Sequence, residues 1–110
     1  LYDFRMKEAK YEVLENGKFN VTLNIEAYKI KADTIGNETK VPVNEWVDLG
    51  FFADDDEKDL MFQKRVLINQ NEAEFTFQLD SLPAKAAIDP RMIYIDRVYK
   101  DNIKSVSLKD

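Results

Sequence analysis

Apolar and polar residues alternate with a period of two along most of the chain, which predicts β-strands. In the clearest case, apolar residues occupy every odd position from Phe19 to Ala27, with polar residues between them. From Tyr28 onward the apolar residues move to even positions. This change of phase at Ala27–Tyr28 predicts either a β-bulge or a strand that twists away and pairs with a different sheet at its far end.

An Asn-Gly pair within Glu15–Lys18 predicts a hairpin just before this strand. A two-residue turn would set a polar side chain against Val21. We therefore predict a three-residue loop, with Gly17 in the left-handed conformation of a bulged turn, because it pairs Val13 with Val21 on the apolar face.

A second hairpin is predicted between Leu60–Ile68 and Ala73–Leu79, with the turn at Asn69–Glu72. In this arrangement the even apolar positions of the first strand face the odd apolar positions of the second. Lys64 falls on the apolar side, so we expect it at a rim where its ammonium group reaches water.

Further strands are predicted at Thr39–Val43, Glu45–Phe52 and Arg91–Asp96. Pro42 places the first at a sheet edge, whereas Arg91–Asp96 is apolar on both faces and is expected to be central. The prolines of Ser81–Pro90 indicate a connection, and Ile103–Leu108 is expected to be a fraying end. Since no segment shows a helical period, the sequence predicts an all-β fold, an immunoglobulin-like antiparallel β-sandwich of about seven strands.

Composition narrows the possible functions. The 110 residues fit a single domain over 1–110. The chain has 21 acidic against 16 basic residues, a net charge of −5, which argues against a nucleic-acid partner. It has no cysteine and no histidine, so disulfides, thiol or imidazole catalysis and ordinary zinc sites are excluded. No apolar run approaches the roughly 20 residues that a membrane helix needs, so we expect no direct insertion into a membrane, and we expect no signal peptide at the start.

The densest group of chemistry-bearing residues is the acidic run Asp54-Asp55-Asp56-Glu57, followed by Asp59. Closely spaced carboxylates are the ligands that calcium takes. Lys58 stands among them, however, and no turn glycine follows. A solvated loop is therefore expected here, and no metal site.

Two aspartates are the best candidates for burial. Asp89 precedes Pro90, so we expect an extended backbone and a carboxylate that caps a turn. Asp96 precedes Arg97 and is expected to share an ion pair with a basic neighbour. Solvent-facing strand positions are expected for Glu12, Glu26, Glu72 and Glu74, and no base accompanies the serines Ser81, Ser105 and Ser107. No catalytic, cofactor-binding or metal-binding residue is predicted, and Trp46 is expected in the core.

Two parts of the chain resemble a known family. The first part comprises Lys18–Leu23 and Val43–Ala53, and the second comprises Pro83–Pro90 with the Asp96-Arg97 and Asp101-Asn102 pairs. They are similar to the C-terminal region of bacterial membrane-anchored, aminopeptidase-N-like zinc metallopeptidases. In these proteins an ABC-transporter-permease-like membrane part precedes the peptidase. The resemblance extends from about Lys10 onward. The chain departs from the family pattern at Ala87, where the family often has glycine, and at Val98–Lys100, where it tends to have Asn-Pro-Asp.

The resemblance implies a non-catalytic terminal domain of a larger protein, without a cofactor, because the family's zinc site lies in another domain. It would pack against the catalytic and helical domains of its own chain, on the extracytoplasmic (periplasmic) face of a bacterial membrane. Leu1–Met6, which lacks an initiator methionine, is expected to form a first strand or to contact the missing domain. The alternative is a free-standing adhesion or carbohydrate-binding module, for which exposed tyrosines such as those of Tyr28-Lys29 and Tyr99-Lys100 would supply a face.

Overall fold

The computed structural model describes residues 1–94, 96 and 98–110, which form nine strands in two sheets that pack face to face. The strands are β1 (Tyr2–Val13), β2 (Phe19–Ala32), β3 (Glu38–Val41), β4 (Glu45–Phe52), β5 (Leu60–Ile68), β6 (Glu72–Leu79), β7 (Lys85–Ile88), β8 (Ile103–Ser105) and β9 (Ser107–Leu108). A one-turn 3₁₀ helix covers Tyr99–Asn102, and these residues include no α-helix. The predicted all-β sandwich is confirmed.

Sheet A contains β1, β2, β3, β6 and β9, and sheet B has the order β5-β4-β7-β8. The β1–β2 ladder is the longest, and its register shifts between Met6 and Glu8, so that Lys7 forms a bulge in β1. β9 runs parallel to β1, with Lys10 opposite Ser107. Sheet A is therefore mixed, whereas an antiparallel sandwich was predicted.

The change of phase in β2 has a different cause from the predicted bulge. Pairing with β1 runs without interruption along β2 through Ala27 and Tyr28, so β2 itself has no bulge there. β2 instead changes its neighbour, from β6 up to Glu26 to β3 from Lys29 onward, and both neighbours belong to sheet A rather than to different sheets. Asn71 fills the gap between them: its carbonyl accepts the Ala27 N–H at 2.8 Å, and its side-chain amide donates to the Ala27 carbonyl at 2.9 Å.

The first hairpin has the predicted loop but a different register. The Leu14 N–H donates to the Lys18 carbonyl at 2.8 Å, which closes a three-residue loop, and Gly17 has φ +82°. Val13 lies opposite Phe19, so the predicted pairing of Val13 with Val21 is wrong by two residues. A shift of two leaves every side chain on its own face, and for that reason the apolar pattern does not distinguish the two registers.

The second predicted hairpin is wrong, although both of its strands exist. β5 pairs with β4 in sheet B and β6 pairs with β2 in sheet A, so residues 69–71 carry the chain from one sheet to the other. The two apolar faces still meet, but across the core: the rings of Phe62 and Phe77 lie 5.6 Å apart. Lys64 is exposed, as expected.

Three other segments also differ from prediction. β7 lies within the expected connection Ser81–Pro90, and β8 and β9 lie within the expected fraying end, because each is too short to show a period of its own. A central strand was expected at Arg91–Asp96, but residues 91–94 are not in a strand, and Met92 and Ile93 are exposed. Ile95, which completes that segment's apolar pattern, lies outside the described residues. β3 lies at a sheet edge, as predicted.

The core lies between the sheets and draws on nearly every strand. Its largest fully buried apolar side chains are Phe4, Val21, Leu23, Val47, Leu49, Phe51, Ile68 and Ile88. Because Phe4 and Met6 are buried in this core, the N-terminal apolar residues form a first strand of the domain itself.

Candidate interaction surface

Trp46 lies on the outer face of sheet B, and 59% of it is exposed, so the expectation that it belongs to the core is wrong. Its strand explains this position. Val47, Leu49 and Phe51 are fully buried, and alternate residues of a strand point to opposite faces. The sequence carried this signal, because Trp46 is out of phase with those three apolar residues.

A buried carboxylate organises the polar part of the same face. Asp48 is 7% exposed, and its two oxygens accept hydrogen bonds from Gln63 Nε2 at 2.8 Å and from Arg65 Nε at 3.1 Å. The hydrogen bond and charge of Asp48 raise the pKa of Arg65 above its usual value. Gln63 Oε1 is buried and has no hydrogen-bond partner among the described residues. The sequence did not single out these residues, because their proximity depends on the β4–β5 register.

That register places an apolar and a cationic group side by side. Trp46 lies opposite Leu67, and Asp48 lies opposite Arg65. Arg65 is therefore the diagonal neighbour of Trp46 on one sheet face, at a spacing that long side chains bridge. We call Trp46, Arg65 and Leu67 the Trp46 face.

The segment after β7 borders this face and is here called the 89–94 loop. Both of its ends are attached to β4: the Asp89 N–H donates to the Asp48 carbonyl at 2.7 Å, and the Tyr94 hydroxyl donates to the Trp46 carbonyl at 2.6 Å. Between these attachments, Met92 and Ile93 are 62% and 63% exposed. The loop that exposes these two large apolar side chains is thus anchored on the strand that carries Trp46.

The loop is held in a strained conformation. Asp89 and Met92 have φ +51° and +54°, a region that costs a non-glycine residue about 1–3 kcal/mol. The buried Asp89 carboxylate accepts the N–H groups of Ile93 at 3.0 Å and Tyr94 at 2.8 Å, which confirms the predicted turn cap. The expected extended backbone at Asp89 is wrong, because the chain must reverse there for the carboxylate to reach those amides.

Asp96 is attached to backbone groups. Its Oδ2 accepts the Phe4 N–H at 3.1 Å and its Oδ1 accepts the Val98 N–H at 2.9 Å. These bonds hold the segment after the 89–94 loop against β1. The adjacent Arg97, which the predicted ion pair would involve, lies outside the described residues.

The acidic run forms the turn between β4 and β5. Backbone amides of Asp59 and Lys58 donate to Asp54 Oδ1 at 3.0 and 3.1 Å, and these hydrogen bonds lower the pKa of Asp54. Glu57 forms an ion pair with Lys85 at 3.1 Å. Residues 1–94, 96 and 98–110 contain no group of three or more acidic side chains arranged to hold a metal ion.

The other residues singled out in the sequence are dispersed. Exposed positions are occupied by Glu12, Glu72, Glu74, Ser81, Ser105 and Ser107. Glu26 is partly buried and lies 3.7 Å from the ammonium group of Lys7. Tyr28 is partly buried beneath the ammonium group of Lys40, 4.0 Å from the ring centre, and Tyr99 is also partly buried. Neither tyrosine joins the Trp46 face.

No protein-family model, curated protein or solved structure matches the chain. Within its described residues, no helix is long and apolar enough to cross a membrane. Fold and surface together define a β-sandwich that displays a tryptophan and an arginine on the outer face of one sheet.

Proposed function

We propose that this chain is a non-catalytic, immunoglobulin-like accessory domain that binds another protein domain through the Trp46 face and the 89–94 loop. The observation that carries the proposal is the 59% exposure of Trp46 on a strand whose next six residues are all buried. Tryptophan and arginine are the residues that most often dominate binding energy at interfaces. Exposed apolar groups that cluster on a domain are typical of an interaction site.

We further propose that the partner is the catalytic or helical part of a membrane-anchored zinc aminopeptidase-like protein to which this domain belongs, on the extracytoplasmic side of a bacterial membrane. The two stretches behind the resemblance support this partner. Val43–Ala53 contains β4 and Pro83–Pro90 contains β7, and these strands pair directly beside the Trp46 face. An interface within one chain would bury about 600–1,500 Å².

The first experiment is to read the open reading frame that encodes the chain. The proposal expects an upstream His-Glu-x-x-His segment in the same frame. A frame that encodes no other folded domain would overturn it.

The second experiment measures binding of this domain to the purified remainder of that protein by titration calorimetry. Trp46→Ala should weaken binding by about tenfold or more, as expected of a central interface tryptophan. Ile35→Ala is the matched control, because Ile35 is exposed in the turn between β2 and β3, away from the Trp46 face. Equal affinities for the two variants would contradict the assigned surface.

A free-standing carbohydrate-binding module is the second candidate. The observation that favours it is the flat, exposed Trp46 ring diagonally beside the exposed guanidinium of Arg65. Glycan-array binding that is lost in Trp46→Ala and kept in Ile35→Ala would replace the first proposal by this one.

A further inference from the structure

We infer that the Trp46 face recognises an acidic side chain that adjoins a large apolar side chain on its partner, with Arg65 as the anchor for the carboxylate. This inference rests on the proposed function, because it specifies the chemistry of the partner at the same surface.

Only one N–H group of the Arg65 guanidinium is bonded to a residue that the structure describes. Its Nε donates to Asp48, while Nη1 and Nη2 make no hydrogen bond to any residue that the structure describes. The side chain is nevertheless 62% exposed. Since guanidinium has five N–H donors and only one is bonded to a described residue, the edge formed by Nη1 and Nη2 can offer a pair of parallel donors. A carboxylate is the group that accepts such a pair in a bidentate manner.

Asp48 holds Arg65 in place before any partner arrives. The Asp48 carboxylate is buried, and a buried charge is costly unless it stays paired. Gln63 occupies the other Asp48 oxygen and fixes the direction of the carboxylate. A side chain that is already ordered loses little entropy on binding, so its hydrogen bonds contribute more to affinity.

The apolar and charged groups of the Trp46 face are neighbours on two paired strands. Trp46 and Leu67 lie directly opposite each other, and Arg65 is two residues from Leu67 on the same face. A partner segment with an acidic residue next to an aromatic or aliphatic one would place both side chains within this patch. The carboxylate could belong to an Asp or Glu side chain or to a chain terminus. We choose the side chain, because the Trp46 face lies on the flat side of a sheet and its apolar residues favour a carboxylate that has apolar side chains next to it in the partner.

The test uses blocked tripeptides and the ¹⁵N-labelled chain. Acetyl-Leu-Glu-Leu-amide should give saturable NMR shifts of the Trp46 indole N–H and the Arg65 Nε–H. Acetyl-Leu-Gln-Leu-amide, which has the same shape without the charge, should bind about tenfold more weakly or not at all. Equal binding of the two peptides, or no binding of either, would overturn the inference. Acetyl-Leu-Gln-Leu with a free C-terminus tests a terminal carboxylate. If this peptide binds more tightly than acetyl-Leu-Glu-Leu-amide, the inference is overturned in favour of a terminal carboxylate.

A matched pair of variants separates this inference from the proposed function. Arg65→Lys keeps a cation beside Asp48 but removes the pair of parallel donors, so binding of the Glu peptide should fall about tenfold. Lys64→Gln removes the exposed cation of the adjacent residue and should leave binding of the Glu peptide unchanged. The NMR spectrum of each variant verifies that it is folded. If Trp46→Ala weakens domain binding while Arg65→Lys does not, the carboxylate inference fails and the docking proposal stands. If neither variant weakens it, both fail.

Discussion

The backbone of Gly50 lies directly against the ring of Pro90. A Cβ atom at Gly50 would lie 2.8 Å from Pro90 Cγ and 2.9 Å from Leu60 Cδ1. Gly50 shares its strand face with Asp48, so the absent side chain is what lets the start of the 89–94 loop lie across sheet B.

Gly50→Ala should therefore destabilise the domain by about 1–3 kcal/mol, the usual cost of forcing an extra methyl group into a packed site. Leu60 can rotate away, whereas the Pro90 ring is rigid. Denaturant unfolding measures the loss, and Pro90→Ala in the Gly50→Ala background should recover part of it. An unchanged unfolding midpoint in Gly50→Ala would show that this contact does not constrain the loop.

Replacing Asp89 tests the support of the 89–94 loop. Asp89→Ala leaves the N–H groups of Ile93 and Tyr94 without their acceptor, at a cost of about 1–3 kcal/mol. Asp89→Asn is the matched control, since asparagine keeps an acceptor oxygen and tolerates the left-handed backbone. The free energy of unfolding should order as wild type, Asn, Ala. Equal values for the Ala variant and wild type would refute a structural role for the carboxylate.

The alkaline side of the stability profile should depend on Tyr2. Burial, together with the hydrogen bond to Glu45, raises the pKa of Tyr2 from 10.0 to about 12. The folded state thus holds this proton more tightly than the unfolded state. Its stabilising effect is complete below pH 10, the unfolded value, and disappears as pH rises to about 12. Denaturation at several alkaline pH values should show this decline.

Tyr2→Phe supplies the comparison. The variant should lack the last-ionising component of the tyrosinate absorbance titration, and its stability should decline less steeply over the same pH range. Burial also raises the pKa values of Tyr94 and Tyr99, so some decline remains. An absorbance titration identical to wild type at its alkaline end would contradict the assignment.

Asn102 should be a position where an apolar residue stabilises the domain. Its side chain is fully buried, and its amide oxygen and nitrogen have no hydrogen-bond partner among the described residues. An unsatisfied buried polar group costs about 1–3 kcal/mol. Asn102→Leu, which has the same branching, should raise the thermal midpoint, while Asn102→Asp should lower it. A lower midpoint for the leucine variant would show that the amide is satisfied in solution.

Strand positions could be predicted from the sequence better than strand partners. The limits of β4 and β5 follow directly from the alternation of Glu45–Phe52 and Leu60–Ile68. A period of two says which side chains share a face, but it does not say whether Phe62 meets Phe77 within one sheet or across the core. Both arrangements bury the same residues, so the choice depends on the twist and length of the whole sandwich.

The Trp46 face and the 89–94 loop were harder to predict for a related reason. The pairing of Asp48 with Arg65 appears only when the β4–β5 register is known. The apolar run after Pro90 suggested a buried strand, but the cap at Asp89 and the left-handed Met92 make it a loop that exposes two apolar residues. Local backbone geometry overrode the hydrophobic pattern there.

The crossing at residues 69–71 has a consequence for how the chain is made. Because β6 belongs to sheet A but follows two strands of sheet B, a ribosome must release β4 and β5 before residues 19–26 of β2, already paired with β1 on one edge, acquire β6 on the other. Until then, that stretch of β2 is an open edge of the kind that pairs with other chains. Synthesis therefore contains an interval in which the growing chain is prone to aggregate. The interval ends only when β6 pairs with β2, and contacts between such distant residues form over roughly milliseconds to seconds in β-sandwiches.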